Sequence, residues 1–352
     1  MEIAEFSQIV PENFVEIGDT SLRDVVDLSL ARRTLLPRLD GDDFEDEVEL
    51  EANLGNRYLK PIPVVNVGDA VPVFGVDTSN IELGETKEGF LCAIRGSIVG
   101  RENQAYQYVR HGPFIFHITE ANKQYLYNAL RQKCFDVDEG VGAPILERMP
   151  EHLRNILERW LQKQLSESCS GALLLWDGSL TTQTVNSPIP VLYRLLQAAR
   201  TEDNIVLAFS KKTSISAFGR RVNDLIDDRE VPCLLDIDDV VRGQYGRYLR
   251  FFGKIYVVKL MAGSLSFRLD IDRRLSQAEG VHAVESLLGS DLVVDSYPET
   301  LRLAHVLSRF SASEVIAMQR YVAEKYGLRI IRRPNVRQIL FGPYGGVASR
   351  RS

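Results

Sequence analysis

Three observations predict an α/β protein with a mixed sheet flanked by helices. Short apolar runs at 71–77, 172–177 and 204–210 have the length and continuity of strands buried on both faces. Runs rich in β formers at 89–99 and 112–119 follow the first across short turns, as in an antiparallel meander. Helical patterns at 120–133, 144–165 and 190–200 then separate the later strands. With 352 residues, 45% hydrophobic and 26% charged, the chain can bury a core of one large domain or two ordinary ones.

In order, residues 1–36 read as helical, with Val25, Val26, Leu28 and Leu30 set among Arg23, Asp24 and Asp27. Residues 39–51 hold eight acids but lack the turn glycine and ligand spacing of an EF-hand, so they read as a solvated helix or loop. After the meander, the helix over 144–165 places Leu153, Ile156, Leu157, Trp160, Leu161 and Leu165 on one side. The strand at 172–177 follows it. Beyond the strand at 204–210, a short helix is predicted at 218–225 with Arg220 and Arg221, then strands at 251–260 and 264–270. Helices at 301–308 and 313–326 come last, the second capped by Ser311 or Ser313. The order strand, strand, strand, helix, strand, helix, strand is that of the ribonuclease H-like fold, which by itself assigns no activity.

The bulk numbers exclude some classes. A formal charge of −6 argues against a surface coated for nonspecific nucleic-acid binding, while leaving room for a local basic groove. Cys92, Cys134, Cys169 and Cys233 form no CxxC pair and read as buried reduced thiols of a cytoplasmic protein. No basic leader and no window of 18 apolar residues is present, so neither signal peptide nor membrane span is expected.

The chemistry centres on two aspartates. Asp177 closes the run Leu173-Leu174-Leu175-Trp176, and Gly178 then permits a sharp turn. Asp77 closes a similar run from Val71. Either alone reads as a turn former. In a ribonuclease H-like sheet, however, the first and fourth strands are neighbours. Their terminal carboxylates then suit a hard cation such as Mg²⁺ or Mn²⁺. Paired ions of this kind activate water and stabilise the leaving oxygen in phosphodiester cleavage. A third carboxylate is expected from the helix before the fourth strand. Glu158 is preferred and Glu151 is second, with Glu147 further off, although spacing alone fits a solvated face.

Lys211 and Lys212 follow a buried strand at the same sheet edge, placed to meet a scissile phosphate or orient water, or else exposed in a loop. Thr213 and Ser214 would cap a following helix. Tyr297 stands at the entry of a helix begun by Pro298 and Glu299. His305, two turns on, can bind phosphate, ligate metal or shuttle a proton. His111, His117, His152 and His282 read as structural. Residues 329–352 contain no acid and carry Arg329, Arg332, Arg333, Arg337, Arg350 and Arg351, fit for phosphate backbone or for an acidic partner.

Taken in order, Asp77-Thr78-Ser79, Leu175-Trp176-Asp177-Gly178-Ser179-Leu180, Ser210-Lys211-Lys212-Thr213 and Tyr297-Pro298 with His305 resemble the NurA nucleases, over residues 70–325. The resemblance implies a ribonuclease H-like core and a toroidal homodimer. It implies Mn²⁺-dependent cleavage of DNA, with Mg²⁺ as the other candidate, by 5′→3′ exonuclease and single-strand endonuclease activity. It also implies work with a HerA-type hexameric ATPase in end resection during double-strand break repair. Asp77 and Asp177 match the metal-binding aspartates and Glu158 the helix glutamate. Lys211 or Lys212 matches the strand-end lysine, and Tyr297 with His305 the C-terminal pair. Thr78 stands where glycine is expected, and the acidic run and the segment 134–143 have no counterpart. The expected divisions are an N-terminal helical and acidic segment at 1–69, the nuclease domain at 70–328 and a basic tail at 329–352. The other expectation is a non-catalytic DNA- or ATPase-binding subunit that keeps the fold, motivated by the acidic balance.

Overall fold

The computed structural model describes residues 6–7, 9–26, 34–37, 50–51, 59–68, 70–137, 141–182, 189–211, 213, 215–217, 220–226, 229–263 and 265–330. The first elements are helix α1 (Glu12–Val26) and strands β1 (Thr34–Pro37), β2 (Leu50–Glu51) and β3 (Ile62–Pro63). The meander follows as β4 (Val73–Glu85), β5 (Gly89–Glu102) and β6 (Ala105–Thr119), then helices α2 (Lys123–Phe135) and α3 (Met149–Ser168). Next come β7 (Leu173–Asp177), β8 (Thr181–Thr182), α4 (Ile189–Thr201), β9 (Ile205–Ser210), β10 (Ile215–Ala217) and β11 (Arg220–Arg221). After these are β12 (Cys233–Asp236), α5 (Asp238–Tyr245), β13 (Arg250–Phe251), β14 (Gly253–Lys259) and β15 (Phe267–Asp272). The described chain closes with α6 (Gln277–Ser290), β16 (Val293–Val294), β17 (Tyr297–Pro298), α7 (Glu299–Ser308), α8 (Ala312–Tyr326) and β18 (Arg329–Ile330).

Eleven of these strands form one mixed sheet flanked by helices. Its core order is β6-β5-β4-β7-β9, with β5 and β6 antiparallel in the meander and β7 and β9 parallel to β4. That is the order expected for a ribonuclease H-like sheet. Antiparallel strands β15, β14, β12 and β3 extend it on one side. On the other margin β1 pairs with the far end of β4, and β18 pairs with β1.

Strand alternation sends side chains into two cores. Phe74, Val76, Leu174 and Trp176 face α3, together with α2 and α4. Val73, Leu173, Leu175, Leu207 and Phe209 face α6 and α7. The apolar run of β7 is thus buried on both sides, as a central parallel strand requires. A third cluster joins α1 to α8 through Leu22, Val25, Val315, Met318 and Val322.

Several local expectations change. Asp77 does not end its strand: β4 continues to Glu85 because β5 pairs with it along nearly its full length. Residues 34–37 form a strand rather than helix, held by β4 and β18. Arg220–Arg221 form a hairpin arm against Ser216 and Ala217, and only residues 222–226 coil, as a 3₁₀ turn. The segment after Thr213 is therefore a strand, and the expected helix cap there is absent; the Thr213 hydroxyl instead accepts from the Ile215 amide at 3.2 Å. Strand β12 went unread because four residues carry too little periodicity. Ser311, rather than Ser313, caps α8, in a capping box with Glu314.

Most of the acidic run lies outside the described residues; its end, Leu50–Glu51, pairs with β10. Arg332, Arg333, Arg337, Arg350 and Arg351 also lie outside them, whereas Arg329 belongs to β18. The four cysteines are buried and unpaired. Among the described residues, no helix is long and apolar enough to cross a membrane.

Candidate metal centre

The register of two parallel strands creates the site. Val76 pairs with Trp176, so the next residue on each strand, Asp77 and Asp177, stands beside the other. Both point to the α7 side, because Val76 and Trp176 point to the α3 side. At Asp177 the two strands part company. Gly178 takes φ +99 and turns β7 out of the sheet, while β4 runs on. Among the described residues, the edge of β4 between Val76 and Gly84 is left as a notch, unpaired until β1 begins. Asp77 lies at the mouth of this notch, 5% exposed.

Helix α7 delivers His305 to the same place. It seats directly on β4 because Gly75 has no side chain: a Cβ there would lie 3.2 Å from Thr300 Cγ2 and 3.4 Å from the Leu301 Cα. Its last turn is tied to the meander. The Ser97 hydroxyl donates to the Ala304 carbonyl at 2.5 Å, and the Ser79 hydroxyl to the Ser308 carbonyl at 2.5 Å. His305 Nδ1 then lies 2.5 Å from Asp77 Oδ2. The Thr78 amide donates to the other oxygen, Asp77 Oδ1, at 2.7 Å. One ligand atom from each of Asp77, Asp177 and His305 falls within 4.8 Å of the others.

Lys211 follows the last residue of β9, and its Nζ donates to Asp177 Oδ2 at 2.6 Å. Below it lies the ring of Tyr297, with the ammonium 5.8 Å from the ring centroid. Tyr297 is buried edge-on against Phe209 and beside Phe267, with centroids 6.0 and 5.1 Å away. It thus walls the site beneath Lys211. Lys212 and Ser214 lie outside the described residues.

Glu158 approaches from the opposite face of the sheet, on α3. Its Oε2 accepts from the Thr78 hydroxyl at 3.1 Å and its Oε1 from Gln162 at 3.2 Å. Burial pushes its pKa up to about 7; Arg159 opposes the shift, and the negative charge of Asp77 adds to it. Glu158 is therefore adjacent to the centre, bridged to it by Thr78, and is not among the three groups whose ligand atoms converge. Glu151 sits in the first turn of α3, seven residues earlier and so about 10 Å back along the axis. Glu147 is exposed in the preceding 3₁₀ turn. The other four histidines are not in the converging group.

The electrostatics favour a cation. Two carboxylates this close repel by on the order of 3–4 kcal/mol at an effective dielectric of about 20. The Lys211 ammonium offsets the charge of Asp177, and the His305 ring hydrogen-bonds Asp77. Two carboxylates and an imidazole, with a third carboxylate behind, make an oxygen-rich donor set suited to Mn²⁺ or Mg²⁺. Sequence reasoning missed Gly75 and the bridging role of Thr78. A glycine inside a fully buried strand was the available signal, since it marks close backbone approach.

A family model described as the NurA domain matches residues 71–310. A comparison with curated protein sequences finds no match. Among solved structures, the NurA nuclease from Sulfolobus solfataricus is 15% identical, with a TM-score of 0.47 over 76% of this chain and 88% of that one. An endonuclease V from Bacillus subtilis is 13% identical, with a TM-score of 0.36 over 76% of this chain and 88% of that one. A NurA structure with manganese is 8% identical, with a TM-score of 0.38 over 74% and 89% of the two chains.

Proposed function

The chain belongs to the NurA family, and on that premise we propose that it is a divalent-metal-dependent deoxyribonuclease. The observation that carries the proposal is the convergence of Asp77, Asp177 and His305 at one notch of the sheet, with ligand atoms within 4.8 Å of one another. Mn²⁺ is the preferred ion and Mg²⁺ the alternative. When bound, the cation supplies positive charge at the scissile phosphate and lowers the pKa of water.

The chain's own groups do the rest. Asp77 and Asp177 hold the cation from the two parallel strands. His305 shares it, or shifts a proton at Nδ1 between the ring and Asp77. Lys211, held over the Tyr297 ring, meets a phosphate oxygen beside Asp177. Glu158 stands behind Thr78, able to complete the ligand set or orient water. The buried wall of Phe209, Phe267 and Tyr297 keeps bulk water from that side.

The finer reading rests on family membership. The substrate is DNA, single-stranded or at double-stranded ends, cut by 5′→3′ exonuclease and single-strand endonuclease action. The protein works in the cytoplasm as a homodimer with a HerA-type hexameric ATPase, in end resection for repair by homologous recombination. The test uses end-labelled single- and double-stranded DNA with Mn²⁺ or Mg²⁺. Wild type is expected to cut, and Asp77→Ala and Asp177→Ala to lose at least about a hundredfold in rate. Equal cleavage by all three proteins removes the assigned site. DNA or ATPase binding with no cleavage at all identifies a non-catalytic subunit instead.

A further inference from the structure

Asp177 is the last residue of its strand, and the backbone beyond it leaves the sheet. What holds that backbone is found on neighbouring strands. The Gly178 amide donates to the Phe209 carbonyl on β9 at 2.9 Å. The Leu180 amide donates to Asp270 Oδ2 on β15 at 2.9 Å. Arg268, also on β15, reaches Thr181 Oγ1 at 2.8 Å through one terminal nitrogen. The same guanidinium grips Asp270 at both oxygens, at 2.7 and 2.8 Å. Arg268 and Asp270 are 3% and 1% exposed, and Leu180 is 0% exposed.

A buried ion pair is a poor means of stabilising a sheet, because desolvation offsets most of the attraction and apolar residues of similar size often do as well. Apolar residues cannot, however, accept the Leu180 amide or bond the Thr181 hydroxyl. Arg268 also pairs across the ladder with Ser210, the residue just before Lys211. The brace therefore borders both chain segments that leave the sheet at the site.

We infer that Arg268 and Asp270 are positioning residues of the metal centre: their buried pair fixes residues 178–181 and so sets where the Asp177 carboxylate points. This rests on the reading of Asp77 and Asp177 as metal ligands. Groups that orient a ligand through its own support commonly govern metal affinity by about tenfold to a hundredfold.

The test uses the full chain and Mn²⁺ alone, with uptake followed by the loss of the free-ion paramagnetic resonance signal. Thermal unfolding and amide exchange of residues 178–181 are read on metal-free protein. The double variant Arg268→Met with Asp270→Leu keeps an apolar filling for the space. It is expected to unfold cooperatively near the wild-type temperature, exchange the Leu180 amide faster and bind Mn²⁺ about tenfold more weakly or worse. Thr181→Val removes one bond of the brace and is expected to show a smaller weakening in the same direction. A folded double variant with wild-type Mn²⁺ affinity overturns the inference. If the double variant does not fold, unchanged affinity and unchanged Leu180 exchange in Thr181→Val overturn it. Asp177→Asn separates the two levels: if it takes up Mn²⁺ like wild type, the metal-centre reading fails and the brace falls with it.

Discussion

Two groups of acids lie in or beside the same sheet and are partnered in opposite ways. On the antiparallel side, Asp238, Asp270 and Asp272 are each gripped at both oxygens by one arginine: Arg273, Arg268 and Arg200 respectively. On the parallel side, Asp77 meets the His305 ring and Asp177 the Lys211 ammonium. Guanidinium keeps its charge at any working pH and matches a carboxylate with a rigid fork. An ammonium is a mobile point charge, and an imidazole can give up its proton. The first group is locked; the second can exchange its partners for an incoming cation or phosphate. Asp77 is as buried as the locked acids and Asp177 is half-buried, so it is the partner more than burial that separates an acid holding the fold from an acid available for chemistry.

The comparison breaks if the two groups respond alike to substitution. The largest expected effect is at the exchangeable acids. Asp77→Ala and Asp177→Ala should nearly abolish cleavage while leaving the melting temperature close to wild type, because removing one acid also relieves like-charge repulsion. A large drop in melting temperature would place these acids with the structural group.

The reverse pattern is expected at a locked acid. Asp272→Ala strands Arg200, whose side chain is 20% exposed, and should cost about 3 kcal/mol in a denaturant titration, with metal affinity unchanged. Wild-type stability in this variant would undo the distinction.

Another arginine-held acid, on α8, sharpens the comparison through pH. Burial would raise the pKa of Glu314, but its bonds to Arg95, Ser311 and Arg110 win and hold it near about 2. The folded value thus lies below the ordinary 4.5, so the contribution to stability is present above pH 4.5 and is lost as pH falls toward 2. Glu314→Gln should be less stable at neutral pH and show a flatter stability curve across that window. The effect is modest, since this side chain is 34% exposed and screened by solvent. A smaller effect on stability than at Asp272 is expected at Gly75→Ala. The new methyl presses on Thr300 and Leu301, costing on the order of 1 kcal/mol and displacing α7 with His305. Cleavage should fall more than stability does, as read by assay and melt on one sample.

How much of this was legible in the chain depends on the range of the interactions. The strand 173–177 was readable because an apolar run this short, ending in Asp-Gly, suits few other structures. The strand order followed from such runs and the helices between them. The true extent of β4 was not readable. Residues 78–85 look polar and turn-like alone, and they stay extended because residues 90–96 pair beside them. The two aspartates could be named, but not their facing direction, which depends on Val76 meeting Trp176. Tyr297 was singled out as a site residue; its place as a buried wall beneath Lys211 depends on two other strands. Arg268 and Asp270 went unread because an alternating Arg-x-Asp in a strand looks solvated until its neighbours cover it.

The pairing of β1 with β18 has a consequence in time. Thr34 lies opposite Arg329, and the contact between Asp77 and His305 spans 228 residues. Contacts of such separation form late, after local ones have organised. On a growing chain, the parallel strands carrying both aspartates can assemble while the segment bearing His305 is still being made. The full set of three groups can therefore close only after the segment bearing His305 has been made. A nascent chain not yet past His305 carries the two acids without the third group, and the centre stays incomplete until helix α7 packs onto β4.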